Sequence, residues 1–269
     1  MNKKPIIIAT VSEKGGVGKT TTTFNVAGAL VVQGKKVCTI DFDPQKNLTQ
    51  SFGWEPDGIK TIAELIRNEV DEFPNMTDDD YKKIIRKHPS GIDYIPATEK
   101  SLNQLSMLIT EADTYAVKKS LESDIFKKYD FILIDCKNSF EKEYLTPYIL
   151  AAADFVMTPC ECGQYSYVGI PKILNEYNKI QERTNPMLKF LGILINKKSA
   201  HINTSRLVAE ALEDGYKDYL FETVIPYRYS QPEQAVAQHL PCVLAKKNTL
   251  KNDYLKLAKE IQERIIGVK

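Results

Sequence analysis

Short apolar, β-branched runs alternate with amphipathic stretches along almost the whole chain. Runs at Ile6 to Val11, Val37 to Ile40, Ile92 to Ile95, Phe131 to Ile134, Phe155 to Thr158, Leu191 to Ile195 and Thr223 to Ile225 predict strands. Between them, apolar positions recur at helical spacing over Lys19 to Gln33, Val168 to Gln181, Asn203 to Leu212 and Lys251 to Ile266. Near-continuously apolar strands separated by helices are the pattern of βαβ units. The expected fold class is therefore α/β, a mainly parallel twisted sheet with helices on both faces. There is no internal repeat, low-complexity segment or Gly/Ser linker, so residues 1–269 are read as a single domain. One region breaks the rhythm. Glu69 to Asp80 holds six acidic residues and no basic one, around Pro74, and predicts a solvated loop and helix start.

Composition sharpens this little until it is read by region. The chain has 36 Lys plus Arg against 35 Asp plus Glu, a formal net charge of +1. That balance excludes a uniformly basic nucleic-acid coat and an acidic disordered tail. Residues 1–171 nevertheless carry a net −4 and residues 172–269 a net +5, so an anionic partner is expected on the later part. The five cysteines, Cys38, Cys136, Cys160, Cys162 and Cys242, form no CxxC pair and have no histidine at zinc-ligand spacing. Reduced thiols and a cytoplasmic setting are expected. The basic-then-apolar start is too short and too soon interrupted by Glu13 and Lys14 for a signal peptide, and no run approaches the ~20 apolar residues that span a bilayer.

The candidate chemistry begins where the first predicted strand ends. Ser12-Glu13-Lys14-Gly15-Gly16-Val17-Gly18-Lys19-Thr20-Thr21 lies between that strand and the first long helix, the context a phosphate loop requires. Gly15, Gly16 and Gly18 let the backbone bring its N–H groups, including that of Val17, close to phosphate oxygens, and the helix N-terminus adds positive potential. Lys19 is expected to reach the β and γ phosphates, and the Thr20 hydroxyl to ligate Mg²⁺ directly, with Thr21 completing the site. The fold expected around it is of the phosphate-loop NTPase type. Glu13 stands where the general motif has its first glycine, and Lys14 adds a second lysine.

This K-G-G-x-G-K-T-T form resembles the deviant Walker A loop of the ParA/MinD family of ATPases, most closely the short, Soj-like ParA type. The resemblance implies that Lys14 reaches the nucleotide of a partner subunit, so that two chains dimerise around two ATP molecules. Asp41-Phe42-Asp43-Pro44-Gln45 is similar to the family's D-x-D-P-Q segment, which implies that Asp43 orients the attacking water and that Asp41 supports the metal-water shell. Asp135, ending the strand from Phe131, is similar to a Walker B carboxylate holding Mg²⁺ through water. Thr158-Pro159-Cys160-Glu161-Cys162 with Tyr165, Tyr167 and Gly169-Ile170 resembles the family's strand, turn and helix. Asn196 matches the residue that bonds adenine, and Pro226 the segment closing over the base. Catalytic roles thus fall on Lys14, Lys19 and Asp43. Two segments depart from the family: Asp135-Cys136-Lys137-Asn138-Ser139 replaces the usual D-x-P-P, which bears on hydrolysis rate and coupling, and Pro226-Tyr227-Arg228-Tyr229-Ser230 keeps one arginine of an R-x-x-R element.

ParA relatives hold DNA without sequence preference through basic side chains gathered on the ATP-bound dimer. Residues 172–206 carry a net +5 and residues 246–269 a net +4, which makes Lys197, Lys198, Arg206, Arg228, Lys246, Lys247 and Lys251 candidates for such a face. The implied function is an ATPase that partitions a plasmid or chromosome, released from nucleoid DNA when a ParB-like partner stimulates hydrolysis. The alternative is a MinD-like, membrane-associated or cargo-positioning switch. Against it, only Gly267-Val268-Lys269 follow the last amphipathic stretch, so no stable membrane anchor is expected.

Overall fold

The computed structural model describes residues 4–71, 76–140, 145–163 and 166–268. Glu72 and Pro74 of the acidic run, Tyr165 and Lys269 lie outside the described residues. Strands β1 (Ile6–Thr10), β2 (Val37–Phe42), β3 (Arg86–Lys87), β4 (Asp93–Ile95), β5 (Phe131–Cys136), β6 (Phe155–Glu161) and β7 (Lys189–Asn196) form one sheet in the order β3-β4-β2-β5-β1-β6-β7. Among the described residues only the β3–β4 pairing is antiparallel. The helices are α1 (Lys19–Val32), α2 (Asn47–Ser51), α3 (Ile62–Val70), α4 (Asp78–Lys83), α5 (Glu99–Leu108), α6 (Ala116–Leu121), α7 (Thr146–Ala152), α8 (Ile170–Arg183), α9 (Asn203–Tyr216), α10 (Gln231–Val236) and α11 (Lys251–Val268).

Alternation along the strands divides the core into two layers. Ile7 and Ala9 of β1 and Ile132 and Ile134 of β5 pack with α3 and α5 to α9, whereas Ile8, Phe131 and Leu133 pack with α1, α2, α10 and α11. Side chains two apart share a face, so a strand buried on both sides must be apolar throughout. The expected α/β sheet with helices on both faces is what folds. From β1 the chain crosses to β2 on one side, and from β5 it crosses to β6 on the other, so the strand order reverses at β1. Crevices at such reversals, beyond the carboxyl ends of the strands, are where ligands bind in open α/β sheets.

Thr223 to Ile225, expected as a strand, is not one. The segment runs beside β7 through separate bonds: the Phe221 amide donates to the Ile193 carbonyl at 3.0 Å and the Ile225 amide to the Ile195 carbonyl at 2.9 Å. Isolated bridges join Leu220 to Ile193 and Pro226 to Lys198, and between them the Glu222 and Thr223 amides donate to the Glu260 carboxylate at 2.7 and 2.9 Å. The helix expected from Val168 begins at Ile170, after a 3₁₀ turn at Ser166–Gly169, with Pro171 in its first turn. In the acidic run, Asp78, Asp79 and Asp80 form the first turn of α4, capped by Thr77, where carboxylates oppose the positive end of the helix dipole.

Candidate functional site

The carboxyl end of β1 leads through residues 11–18 into α1, and the glycines decide the shape of that turn. Gly16 and Gly18 have φ of 80° and 91°, in the left-handed region. A Cβ at Gly18 would lie 2.2 Å from Asn196 Nδ2, so this position requires glycine on both grounds. The Gly18 carbonyl accepts from the Thr22 amide at 2.8 Å, opening α1. The helix is anchored behind the loop: the Thr23 hydroxyl meets Thr10 Oγ1 at 2.9 Å, and Asn25 Oδ1 accepts from the Cys242 amide at 2.6 Å.

Strand register brings the carboxylates in. Asp135 sits opposite Thr10 on one side and Asp41 on the other. Lys19 Nζ donates to Asp135 Oδ1 at 3.2 Å and lies 3.7 Å from Asp43 Oδ2, while the Thr20 hydroxyl donates to Asp135 Oδ2 at 2.6 Å. Lys19, Asp43 and Asp135 are all buried. Burial works to lower the Lys19 pKa, but Asp135 and Asp43 more than offset it, so the ammonium is held charged above its ordinary value. Asp135 is raised by burial, against the pull of Lys19 and Thr20.

Asp41 does different work from the other two carboxylates. Oδ1 accepts from the Asp43 amide at 3.0 Å, and Oδ2 accepts from both the amide and the hydroxyl of Thr49 at 2.8 Å. It thereby fastens α2 and the turn carrying Asp43 to the sheet. Burial, reinforced by the neighbouring Asp135 charge, pushes its pKa up to about 7. Asp41 does not border the open cavity, whereas Asp43 does.

That cavity, of about 390 Å³, is lined by residues 16–21 of the loop, Asp43, Asn47, Gln50 and Ser51 of the α2 region, Asn138, Lys197 and Val236. Its oxygen donors, the Thr20 hydroxyl and the Asp43 carboxylate, with Asp135 buried behind them on Thr20, suit a hard cation such as Mg²⁺. Among the described residues no cluster of three His, Cys, Asp or Glu could hold a metal alone. A cation here would thus need phosphate oxygens or water to complete its shell, which is how Mg²⁺ is usually held.

Of the residues expected at the site, Gly15, Gly16, Val17, Gly18, Lys19, Thr20, Thr21, Asp43 and Asp135 converge. Lys14 is exposed and does not line the cavity of its own chain. Asn196 is buried beneath the loop, where Nδ2 donates to the Val17 carbonyl at 2.8 Å and Oδ1 accepts from the Lys197 amide. In this structure it braces the loop. Pro226 follows Ile225 beside β7 and is partly buried.

The residues expected at a DNA face divide into separate places. Lys197 Nζ donates to the Gly16 carbonyl at 2.6 Å, so its ammonium lies at the rim of the cavity beside the loop. Lys198 is half-buried at the end of β7, and Arg206 on α9 pairs with Glu210 at 3.6 Å. Arg228, Lys246, Lys247 and Lys251 are exposed and do share a neighbourhood. The 246–250 loop is tied to the start of α10 by Asn248 and Thr249 on Gln231. Arg228 lies close enough to Asp253 in α11 to oppose, with Lys256, the rise that burial imposes on it. Of the other basic residues in 172–206, Lys172 pairs with Glu13 and Lys179 with Glu176.

Six cavity residues were not among the expected nucleotide contacts: Asn47, Gln50, Ser51, Asn138, Lys197 and Val236. Asn138 Oδ1 accepts from the Ser12 hydroxyl at 2.8 Å and its amide stands beside Gly15, tying the end of β5 to the loop. The signal for it was its place three residues after Asp135, where the resemblance leads one to expect proline. Lys197 had only its position after Asn196 to mark it.

Comparison with known proteins bears on the whole chain. A family model described as an AAA domain matches residues 5–190. The sporulation initiation inhibitor protein Soj of Bacillus subtilis is 32% identical over 95% of this chain and 97% of its own length. The chromosome partitioning protein ParA of Myxococcus xanthus is 29% identical over 96% of this chain and 88% of its own. Among solved structures, cobyrinic acid a,c-diamide synthase from Mycobacterium smegmatis with bound ATP analog and magnesium superposes with a TM-score of 0.78 at 26% identity, covering 98% and 97% of the two chains.

Proposed function

The chain belongs to the ParA/MinD family of phosphate-loop ATPases, and from that premise we propose that it is a partition ATPase whose ATP-bound dimer holds DNA without sequence preference. The observation that carries this reading is the convergence of Lys19, Thr20, Asp43 and Asp135 at the end of β1, with Lys14 exposed and outside its own cavity. ATP is held by the amides of residues 15–21, with Lys19 on the phosphates. Thr20 would ligate Mg²⁺ directly, with Asp43 and Asp135 on its water shell, and the bound ion would supply charge compensation at the phosphate oxygens.

Each protein group then has a defined task. Lys19, already charged in the ligand-free protein, needs no proton to meet the phosphates. Asp43, placed by the Asp41–Thr49 bonds, orients the attacking water. Lys14 enters the partner's site and offsets charge that builds up in phosphoryl transfer. Binding closes two subunits on each other, a ParB-like partner stimulates hydrolysis, and the dimer lets go of DNA. Nucleoid association in the ATP state follows.

The test is light scattering and DNA retention with ATP against ADP, in the parent and in Lys14→Ala. The parent should dimerise and stay on DNA with ATP only, and Lys14→Ala should bind ATP but remain monomeric. An ATP dimer in Lys14→Ala rules out the cross-subunit role, and ATP-dependent retention on anionic liposomes with none on DNA favours the membrane switch. Among the described residues no helix is long and apolar enough to cross a membrane.

A further inference from the structure

Lys197 follows the end of β7 with a left-handed backbone, φ 53°. A non-glycine residue there is uncommon, and this one is fixed from both sides. Its amide donates to Asn196 Oδ1 at 3.0 Å, the Lys198 amide donates to the Ile225 carbonyl at 3.0 Å, and the Tyr227 amide donates to the Lys198 carbonyl at 2.9 Å. The turn sends the side chain back across the phosphate loop. Its Cε passes 3.9 Å from where a Cβ on Gly18 would sit, and Nζ reaches the Gly16 carbonyl at 2.6 Å. Glu161, at the end of β6, stands 3.9 Å from the same ammonium.

The two lysines of this cavity are therefore held in different ways. Lys19 is committed to Asp135 and Asp43 in the buried floor, with 5% of its side chain exposed. Lys197 is 36% exposed at the rim, and among the described residues its ammonium spends its close hydrogen bond on a neutral carbonyl. An ammonium has three donors, and a phosphate oxygen is a stronger acceptor than a peptide carbonyl. The side chain borders the phosphate cavity already, so such an exchange asks for a rotamer change and no movement of the backbone.

We propose that Lys197 is a nucleotide ligand acting within its own subunit, trading the Gly16 carbonyl for a phosphate oxygen when nucleotide binds. Glu161 and the Gly16 carbonyl hold the side chain before that exchange. This assignment rests on the reading of the cavity as an ATP site, and it removes Lys197 from the DNA surface.

Lys197→Asn tests it, because asparagine tolerates left-handed backbone while the ammonium is lost. ATP and ADP should each bind about tenfold more weakly in a fluorescence titration, the effect of losing one hydrogen bond to a charged group. Lys197→Arg should keep most of the affinity, and DNA retention by Lys197→Asn at saturating ATP should match the parent. Parental affinity for both nucleotides in Lys197→Asn overturns the assignment. So does an equal loss in Lys197→Arg, which would trace the effect to the turn and not to the charge. Loss of DNA retention with nucleotide binding intact also overturns it and returns Lys197 to the surface. Lys19→Ala is measured alongside: if it too binds ATP like the parent, the cavity reading itself fails and this assignment with it.

Discussion

The phosphate loop and the basic C-terminal region are both built from lysines, and they differ in what surrounds each charge. Lys19 is enclosed by Asp135 at 3.2 Å and Asp43 at 3.7 Å, on elements that strand register brings together. Arg228, Lys246, Lys247 and Lys251 stand in solvent, gathered by loop connections alone. A buried charge is positioned by partners that it cannot lose, whereas an exposed one is free to move and is screened by salt. Substitutions in the first region should therefore be costly and specific, and those in the second small and cumulative.

The largest effect is expected at Lys19. Lys19→Ala should abolish measurable ATP binding, and it should also destabilise the ligand-free protein by about 3 kcal/mol or more, because Asp135 and Asp43 lose their counter-charge. The Asp135 pKa, already raised by burial, rises further without the ammonium. A carboxyl whose folded pKa lies above its unfolded value of about 4 stabilises relatively at low pH and loses that advantage as pH rises through the folded pKa. Denaturant melts of Lys19→Ala should thus approach the parent near pH 4 and diverge toward neutrality. A constant gap at all pH values would show that Asp135 is not the group left unpaired.

Next in size is the loop backbone. Gly18→Ala sets a Cβ against Asn196 at a φ of 91° and should cost about 1–3 kcal/mol together with most of the ATP affinity. Gly15→Ala is the comparison: its Cβ would meet only Asn138 Nδ2, at 3.4 Å, and stability should change by less than about 1 kcal/mol. Similar losses in the two variants, read by thermal unfolding, would remove Asn196 as the reason for glycine at position 18. Asp43→Ala separates chemistry from binding. Turnover should fall about a hundredfold or more while ATP is still bound, and undiminished phosphate release would move the water-orienting role elsewhere.

How far each region was legible follows from the same contrast. The phosphate loop announces itself because its glycines, Lys19 and Thr20 lie in one short segment between a strand and a helix, and Asp43 and Asp135 end strands that must be central if they are apolar throughout. Local order along the chain is enough for that. Charge counted over residues 172–206 carries no direction: one left-handed turn sends Lys197 to Gly16, while Lys172 and Lys179 are taken up by Glu13 and Glu176. Thr223 to Ile225 looked like a strand because it is β-branched, but strand pairing depends on free donors facing a partner edge, and the Glu222 and Thr223 amides are taken by the Glu260 carboxylate from α11. The short helices α6 and α7 have too few turns to show a period, whereas α3 carries one in Ile62, Leu65, Ile66 and Val70, preceded by a capping box of Thr61 and Glu64, that the strand-and-helix pattern passed over.

The smallest expected effects belong to the exposed basic group, and they bear on whether it is a surface at all. Each lysine or arginine that neutralises one DNA phosphate contributes about 0.9 to the slope of log affinity against log salt. Lys246→Ala, Lys247→Ala and Lys251→Ala should then each weaken DNA retention of the ATP-bound protein only several-fold and flatten the slope by about one, with ATP affinity unchanged. Arg206→Ala is the useful companion, because Arg206 lies on α9, away from α11, and is paired there with Glu210. If Arg206→Ala matches the three lysines, the DNA face extends across α9. If it has no effect while the lysines lower the slope additively, the face is confined to Arg228 and the start of α11. If none of the four variants alters the slope, the net +5 of residues 172–269 is only a solvated surface, and DNA is held elsewhere or not at all.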